Sequence, residues 1–145
     1  MDLIIFEYLA LFAGSFVAAT LIPFPSEGLL IGYFEMNYSI WLCVAVATIG
    51  NTLGGLTNYF IGRFGSSEKV LKRFKLNDNR LEGWYAHSSK WGHYLGLLAW
   101  IPIVGDPMIV ALGFFKVKFW PLAVFILVGK LLRYVVIALV YLAIV

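Results

Sequence analysis

Four ionisable side chains stand where the sequence is otherwise apolar: Glu27 in the stretch IPFPSE, Asp106 in IPIVGD, and Lys130 and Arg133 in GKLLRYV. An ionisable group at the centre of a membrane-crossing helix costs about 2.5–3.5 kcal/mol on insertion scales, so four of them call for pairing or use. Two carboxylates can take up and release protons, and two cations can attract an anion. Loss of water makes a carboxylate harder to ionise, whereas a neighbouring Lys or Arg favours its charged form. Residue types alone leave the winner open. Lys130 and Arg133, three residues apart, share one helix face. The charges are either structural ion pairs that hold the fold or the lining of a polar path. The second is the favoured reading, with Glu27 and Asp106 carrying protons and Lys130 and Arg133 attracting an anionic headgroup.

Elements able to hold such groups must themselves suit hydrocarbon. Of 145 residues, 61% are hydrophobic and 13% charged, with a mean hydropathy of +0.87; soluble domains carry about 25% charged residues. The expectation is an all-α integral membrane protein forming one domain over residues 1–145, with room for roughly four membrane-crossing or membrane-dipping elements. No Lys or Arg precedes Arg63, whereas Arg63, Lys69, Lys72, Arg73, Lys75, Arg80 and Lys90 crowd the middle of the chain. The positive-inside bias therefore predicts that residues 63–93 face the cytoplasm. Met1-Asp2-Leu3 with Glu7 is no basic n-region, so the N-terminus reads as retained rather than cleaved.

Residues 39–62 and 119–145 are long enough to cross a bilayer. The pieces 8–22, 28–35, 94–101 and 107–115 are mostly too short, and each pair is separated by a break that carries proline and an acid: Pro23 and Pro25 with Glu27, Pro102 and Pro107 with Asp106. Two short arms around a break predict a re-entrant hairpin, tolerated at membrane depth only where protein or a water-filled cavity satisfies its backbone. With 63–93 in the cytoplasm, the first hairpin enters from outside and the second from inside. The expected architecture is thus an inverted repeat of hairpin plus transmembrane helix, residues 1–62 and 94–145, joined by cytoplasmic interfacial helices in 63–93.

An ungapped offset of 79 supports that repeat, pairing Pro23 with Pro102, Glu27 with Asp106, Trp41 with Trp120, and Gly50 with Gly129. Inverted repeats with broken helices near the midplane are a common transporter architecture, and the breaks point at the substrate. In the first long helix Gly50, Gly54, Asn58 and Gly62 recur every four residues, a small face suited to close packing. Asn51, which the offset sets against Lys130, is expected to line the polar path with Thr52 and Asn58.

In the central segment Val70, Leu71 and Phe74 lie among lysines, and Trp84 and Trp91 follow. Such amphipathic pieces suit a membrane surface, and a loop pinned between membrane elements argues against a nucleic-acid partner. Cys43, the single cysteine, sits in an apolar run and reads as packing. His87 and His93 have no cysteine or acid at ligand spacing, so neither a metal nor another cofactor is expected. Nor does any nucleophile-and-base arrangement point to an enzyme. Membrane lipids and protons are the expected partners, and the oligomeric state stays open.

In order along the chain, IPFPSE, GNTLGGLTNYFIGR, IPIVGD and GKLLRYV resemble the YqaA-like branch of the DedA family, which shares the VTT (SNARE-associated) domain. The resemblance covers nearly the whole chain and is weakest in the central loop. It implies a bacterial inner-membrane protein with two opposed re-entrant hairpins, in a family whose larger members are linked to translocating undecaprenyl phosphate and phospholipids with proton-motive-force dependence. By position it makes Glu27 and Asp106 the two hairpin acids. Larger members place arginines around the second hairpin's proline; here Trp100, Ile101, Val104 and Gly105 stand there, and Lys130 and Arg133 are the available cations. Two rivals remain: a proton-coupled antiporter, which the two cations disfavour for a cationic substrate, and a structural assembly factor. The span 2–22 is also open to being a full crossing with a cytoplasmic N-terminus.

Overall fold

The computed structural model describes residues 2–20, 26–64, 92–101 and 105–145, and these segments are helical without strands. They form α1 (Asp2–Ala19), α2 (Ser26–Glu35), α3 (Ile40–Phe64), a 3-10 helix (Gly92–Trp100), α4 (Gly105–Phe114) and α5 (Phe119–Ile144). Pro23, Pro25, Pro102, His87 and the expected interfacial helices around 69–91 lie outside the described residues.

The two long helices fall where hydropathy puts them. α3 has 25 residues and α5 has 26, and both are apolar enough to cross a membrane. At 1.5 Å per residue each reaches roughly 37–39 Å, beyond the hydrocarbon thickness of about 30 Å. Pro121 sits in the first turn of α5, where its missing N–H has no intrahelical partner to lose. Pro107, expected in the second break, lies inside the first turn of α4 for the same reason.

Two arms depart from expectation. α1 begins at Asp2 rather than near Tyr8, because neither Pro nor Gly interrupts the chain before Gly14, and its 18 residues reach about 27 Å. The arm expected over 94–101 is a 3-10 helix of nine residues. Its rise of about 2.0 Å per residue carries it roughly 18 Å, where an α-helix would reach about 13.5 Å.

α2 and α4 end in the same device. Asn37 (φ 65°) and Lys116 (φ 57°) are left-handed, and they stand 79 positions apart. After α2, Asn37 N–H donates to Phe34 O and Tyr38 N–H to Tyr33 O; after α4, Lys116 N–H donates to Gly113 O and Val117 N–H to Leu112 O. Each pair is a Schellman closure, which satisfies carbonyls the helix end leaves open. The bounds of α2 and α4 also differ by 79, as do the first residues of α3 and α5.

Among the described residues, apolar packing is divided into two clusters. One gathers Leu11, Leu30, Phe34, Val44 and Ala47 with Tyr134 and Ala138. The other gathers Tyr59, Ile109, Leu112, Leu122 and Ile126. The first takes the early part of α3 and the late part of α5, and the second takes the reverse. The long helices therefore run antiparallel, with a polar layer between the clusters at their midpoints. Burial is inverted relative to a soluble protein: Lys130 is 0% exposed, whereas Phe6 is 64% and Ile144 79% exposed. Large apolar surface of this kind marks contact with lipid or protein.

Glycines set the closest seams. A Cβ on Gly50 would fall 2.5 Å from Phe12 O, and one on Gly54 would strike Phe16 O, so α1 lies directly on α3. Gly129 takes the backbone of the 3-10 helix in the same way, with Leu97 O 2.8 Å from a built Cβ. α3 and α4 meet at Gly62, against Val110 O, and Gly113, against Tyr59 O. One repeat away the same two positions are Tyr141 and Phe34, whose rings pack at 5.1 Å. α2 consequently reaches α5 through long side chains, where α4 touches α3 backbone to backbone.

Candidate functional site

Four elements bring their polar groups into the layer between the clusters. α5 presents Lys130, Arg133 and Tyr134 at spacings of three and four residues, hence on one face. α3 contributes Asn51 from its middle. The first turns of α2 and α4 contribute Ser26 with Glu27 and Asp106 respectively. A carboxylate in the first turn of a helix is favoured by the partial positive charge there, which suits both acids.

Asn51 is the hub. Its Oδ1 accepts from Lys130 Nζ at 2.5 Å and from Arg133 Nη2 at 3.3 Å, while its Nδ2 donates to Ser15 O at 2.8 Å. Lys130 Nζ also lies 3.0 Å from Asp106 Oδ1, and Arg133 Nε lies 3.5 Å from Glu27 Oε1. Arg133 Nη2 donates to Tyr134 Oη at 2.9 Å, and Tyr134 and Ser26 share a hydrogen bond of 2.8 Å. One neutral amide oxygen thus accepts from two cations, and each cation has its own acid.

The burial is graded. Side-chain exposure is 0% for Lys130 and 10% for Arg133, against 25% for Asp106 and 35% for Glu27. Cations occupy the interior and acids the rim. Gly55 makes the space for the lysine: a Cβ there would stand 3.2 Å from Lys130 Cε and from Ile109 Cδ1. Arg133 Nε and Thr52 Oγ1 are buried without a hydrogen-bond partner among the described residues, so the layer has polar capacity beyond its internal bonds.

All four expected charges and Asn51 come together here. Thr52 is buried beside Asn51 but bonds nothing in the cluster. Asn58, expected in the lining, instead donates through Nδ2 to Ala19 O at 2.5 Å and so closes the carboxyl end of α1. Thr57 bonds back to Leu53 O within its own helix. His93 packs its ring on Tyr94 at 4.1 Å and Phe125 at 5.5 Å. Cys43 is buried in the first apolar cluster. Ser26 and Tyr134 were not singled out from sequence. Tyr134 had a usable signal, since it lies one turn from Lys130 and a phenol in hydrocarbon needs a partner.

Apolar side chains turned outward, charges sealed inward and two helices of spanning length define a helical membrane protein with a polar layer at mid-helix. The VTT domain family model matches residues 23–142, and the chain belongs to that family, also called DedA. Inner membrane protein YqaA of Escherichia coli K12 is 38% identical over 130 residues, covering 89% of this chain and 87% of that protein. Its namesake in Shigella flexneri gives the same figures. An uncharacterized protein of Haemophilus influenzae is 32% identical over 133 residues, covering 86% of this chain and 81% of that protein. No solved structure matches the chain.

Proposed function

We propose that this chain translocates the headgroup of an anionic lipid between leaflets, with the acyl chains left in the bilayer. The observation that carries this reading is the graded cluster: two cations buried near the midpoint of a helix long enough to span, with their acids on the rim. A phosphate headgroup can take the place of a carboxylate on Arg133 or Lys130 with little change in local charge. Protonating Glu27 or Asp106 releases its cation for that exchange, and ionisation afterwards expels the phosphate. Water around the headgroup is replaced by fixed protein groups, so no covalent chemistry is needed.

Topology completes the proposal. The recurrence of elements at the offset of 79 and the antiparallel course of α3 and α5 support two inverted halves whose hairpins enter from opposite faces. Asn51 and Lys130, 79 positions apart and bonded to each other, would then sit beside the axis that relates the halves. The wider α2/α5 contact, spaced by Phe34 and Tyr141, is the proposed way in for a headgroup. The name of its Escherichia coli relative supports a bacterial inner membrane for this chain, and the positive-inside bias supports a cytoplasmic position for the basic central segment.

Substrate charge tests the reading against an antiporter. Vesicles containing the purified chain should move labelled phosphatidylglycerol between leaflets at least tenfold faster than they exchange a labelled lipophilic cation for protons. Glu27→Gln, which holds that position in its uncharged form, should abolish any acceleration by a proton gradient. Cation exchange without lipid movement would replace the lipid reading with the antiporter.

A further inference from the structure

A second group of cations lies away from the polar layer, at the end of α3 and the turn between α4 and α5. Arg63, Lys116 and Lys118 there line a cavity of about 590 Å³ together with the aromatic side chains of Phe60, Phe119 and Trp120. From Asn51 to Arg63 along α3 is roughly 18 Å, so this group is distinct from the Lys130 cluster. We propose that it is a separate binding site for the phosphate of an anionic phospholipid, with the acyl chain laid along the aromatic wall.

The site is held by the closest seam in the fold. Gly62 and Gly113 bring α3 and α4 into backbone contact beside it. Tyr59 hydroxyl donates to Val117 O in the α4–α5 turn and accepts from Arg63 Nη1 at 2.9 Å, fixing the guanidinium relative to the two lysines. Trp120 at 77% and Phe64 at 75% exposed extend the wall outward. Aromatics of this kind settle at the level of lipid headgroups, and cations beside them attract anionic lipid.

The chain contains its own control. At the offset of 79, Asn37, Ser39 and Trp41 correspond to Lys116, Lys118 and Trp120, and Leu142 corresponds to Arg63. The tryptophan recurs and all three cations are missing, although the first turn closes by the same hydrogen bonds. The cations are therefore not required by the turn. Lys116 even occupies the left-handed conformation (φ 57°) that Asn37 occupies in the first half, and a side chain like lysine is disfavoured there relative to Asn or Gly.

The test uses the full chain in zwitterionic detergent, titrated with brominated-chain phosphatidylglycerol, brominated-chain phosphatidylcholine or inorganic phosphate. The signal is the quenching of Trp120, taken as the part lost in Trp120→Phe. Wild type should bind phosphatidylglycerol at least tenfold more tightly than phosphatidylcholine, and inorganic phosphate should not displace it at equal concentration. Lys116→Asn should weaken phosphatidylglycerol about fivefold with the fold retained, since Asn37 closes the corresponding turn by the same hydrogen bonds. Arg63→Leu, Lys116→Asn and Lys118→Ser together should remove the preference. Unchanged affinity in Lys116→Asn would overturn the site even where the triple variant fails to fold. Displacement by inorganic phosphate at equal concentration would overturn the assignment to lipid.

Discussion

Asp106→Ala is expected to destabilise the chain by about 3 kcal/mol, more than Lys130→Met, because breaking a buried pair costs most when the buried member is left alone. Lys130 is 0% exposed and Asp106 25%. Removing the acid strands an ammonium whose remaining hydrogen-bond acceptor among the described residues is Asn51 Oδ1. Removing the lysine leaves a carboxylate at the rim, where water or a proton can compensate. The double variant Asp106→Ala/Lys130→Met should recover most of the loss, since neutral packing often equals or exceeds a buried ion pair in stability. Thermal midpoints of the four proteins in detergent check the order: double and wild type close together, Lys130→Met below them, Asp106→Ala lowest. A double variant as unstable as Asp106→Ala would mean that the charges are needed to hold the fold, as the assembly-factor reading requires.

Gly62→Ala and Gly113→Ala should each cost about 3 kcal/mol, at the upper end of ordinary overpacking. In both cases the added methyl meets backbone of the facing helix, Val110 O or Tyr59 O, and neither α3 nor α4 has a flexible side chain at the contact to move aside. Gly32→Ala is the control. Nothing lies within 4 Å of a Cβ there, so loss of glycine's backbone freedom should add about 0.5–1 kcal/mol. Detergent-resistant thermal unfolding of the three variants measures both effects, and equal midpoints for Gly62→Ala and Gly32→Ala would contradict the seam.

The physics of hydropathy made part of this fold legible in sequence. α3 and α5 are predominantly apolar runs of spanning length, broken in α5 only by Pro121, Lys130 and Arg133, and length with hydropathy identifies them. Lys130 and Arg133 could be placed together because helical spacing fixes their face. Asn51 could be set against Lys130 because the offset of 79 aligned them. Other features depend on tertiary contacts that no local pattern carries. Asn58 was expected in the lining, yet its amide serves the end of α1. The 3-10 helix Gly92–Trp100 packs closely on α5 at Gly96 and Gly129, with built Cβ contacts at 3.0 and 2.8 Å, a tertiary contact that no local pattern announces. Rim acids and interior cations were also not readable, since burial depth differs between Glu27 and Arg133 for reasons of helix placement rather than residue type.

The unequal contacts of α4 with α3 and of α2 with α5 have a simple origin. Corresponding positions carry Gly62 and Gly113 in one seam and Tyr141 and Phe34 in the other. Tyr141 hydroxyl donates to Glu35 Oε1 at 2.8 Å and Ser26 bonds Tyr134 at 2.8 Å, so α2 is tethered by side chains near each end. Side-chain tethers can exchange partners more readily than packed backbone. The proposed access to the polar layer is accordingly on the side of α2 rather than α4.

The most direct measurement is leaflet-resolved movement of labelled phosphatidylglycerol in vesicles, comparing the wild-type chain with Asp106→Ala/Lys130→Met at matched protein content and verified folding. If the buried cation and its rim acid carry the headgroup, the folded double variant moves lipid at least tenfold more slowly, close to protein-free vesicles. Equal rates in the two proteins would contradict that role and leave the charges as structure alone.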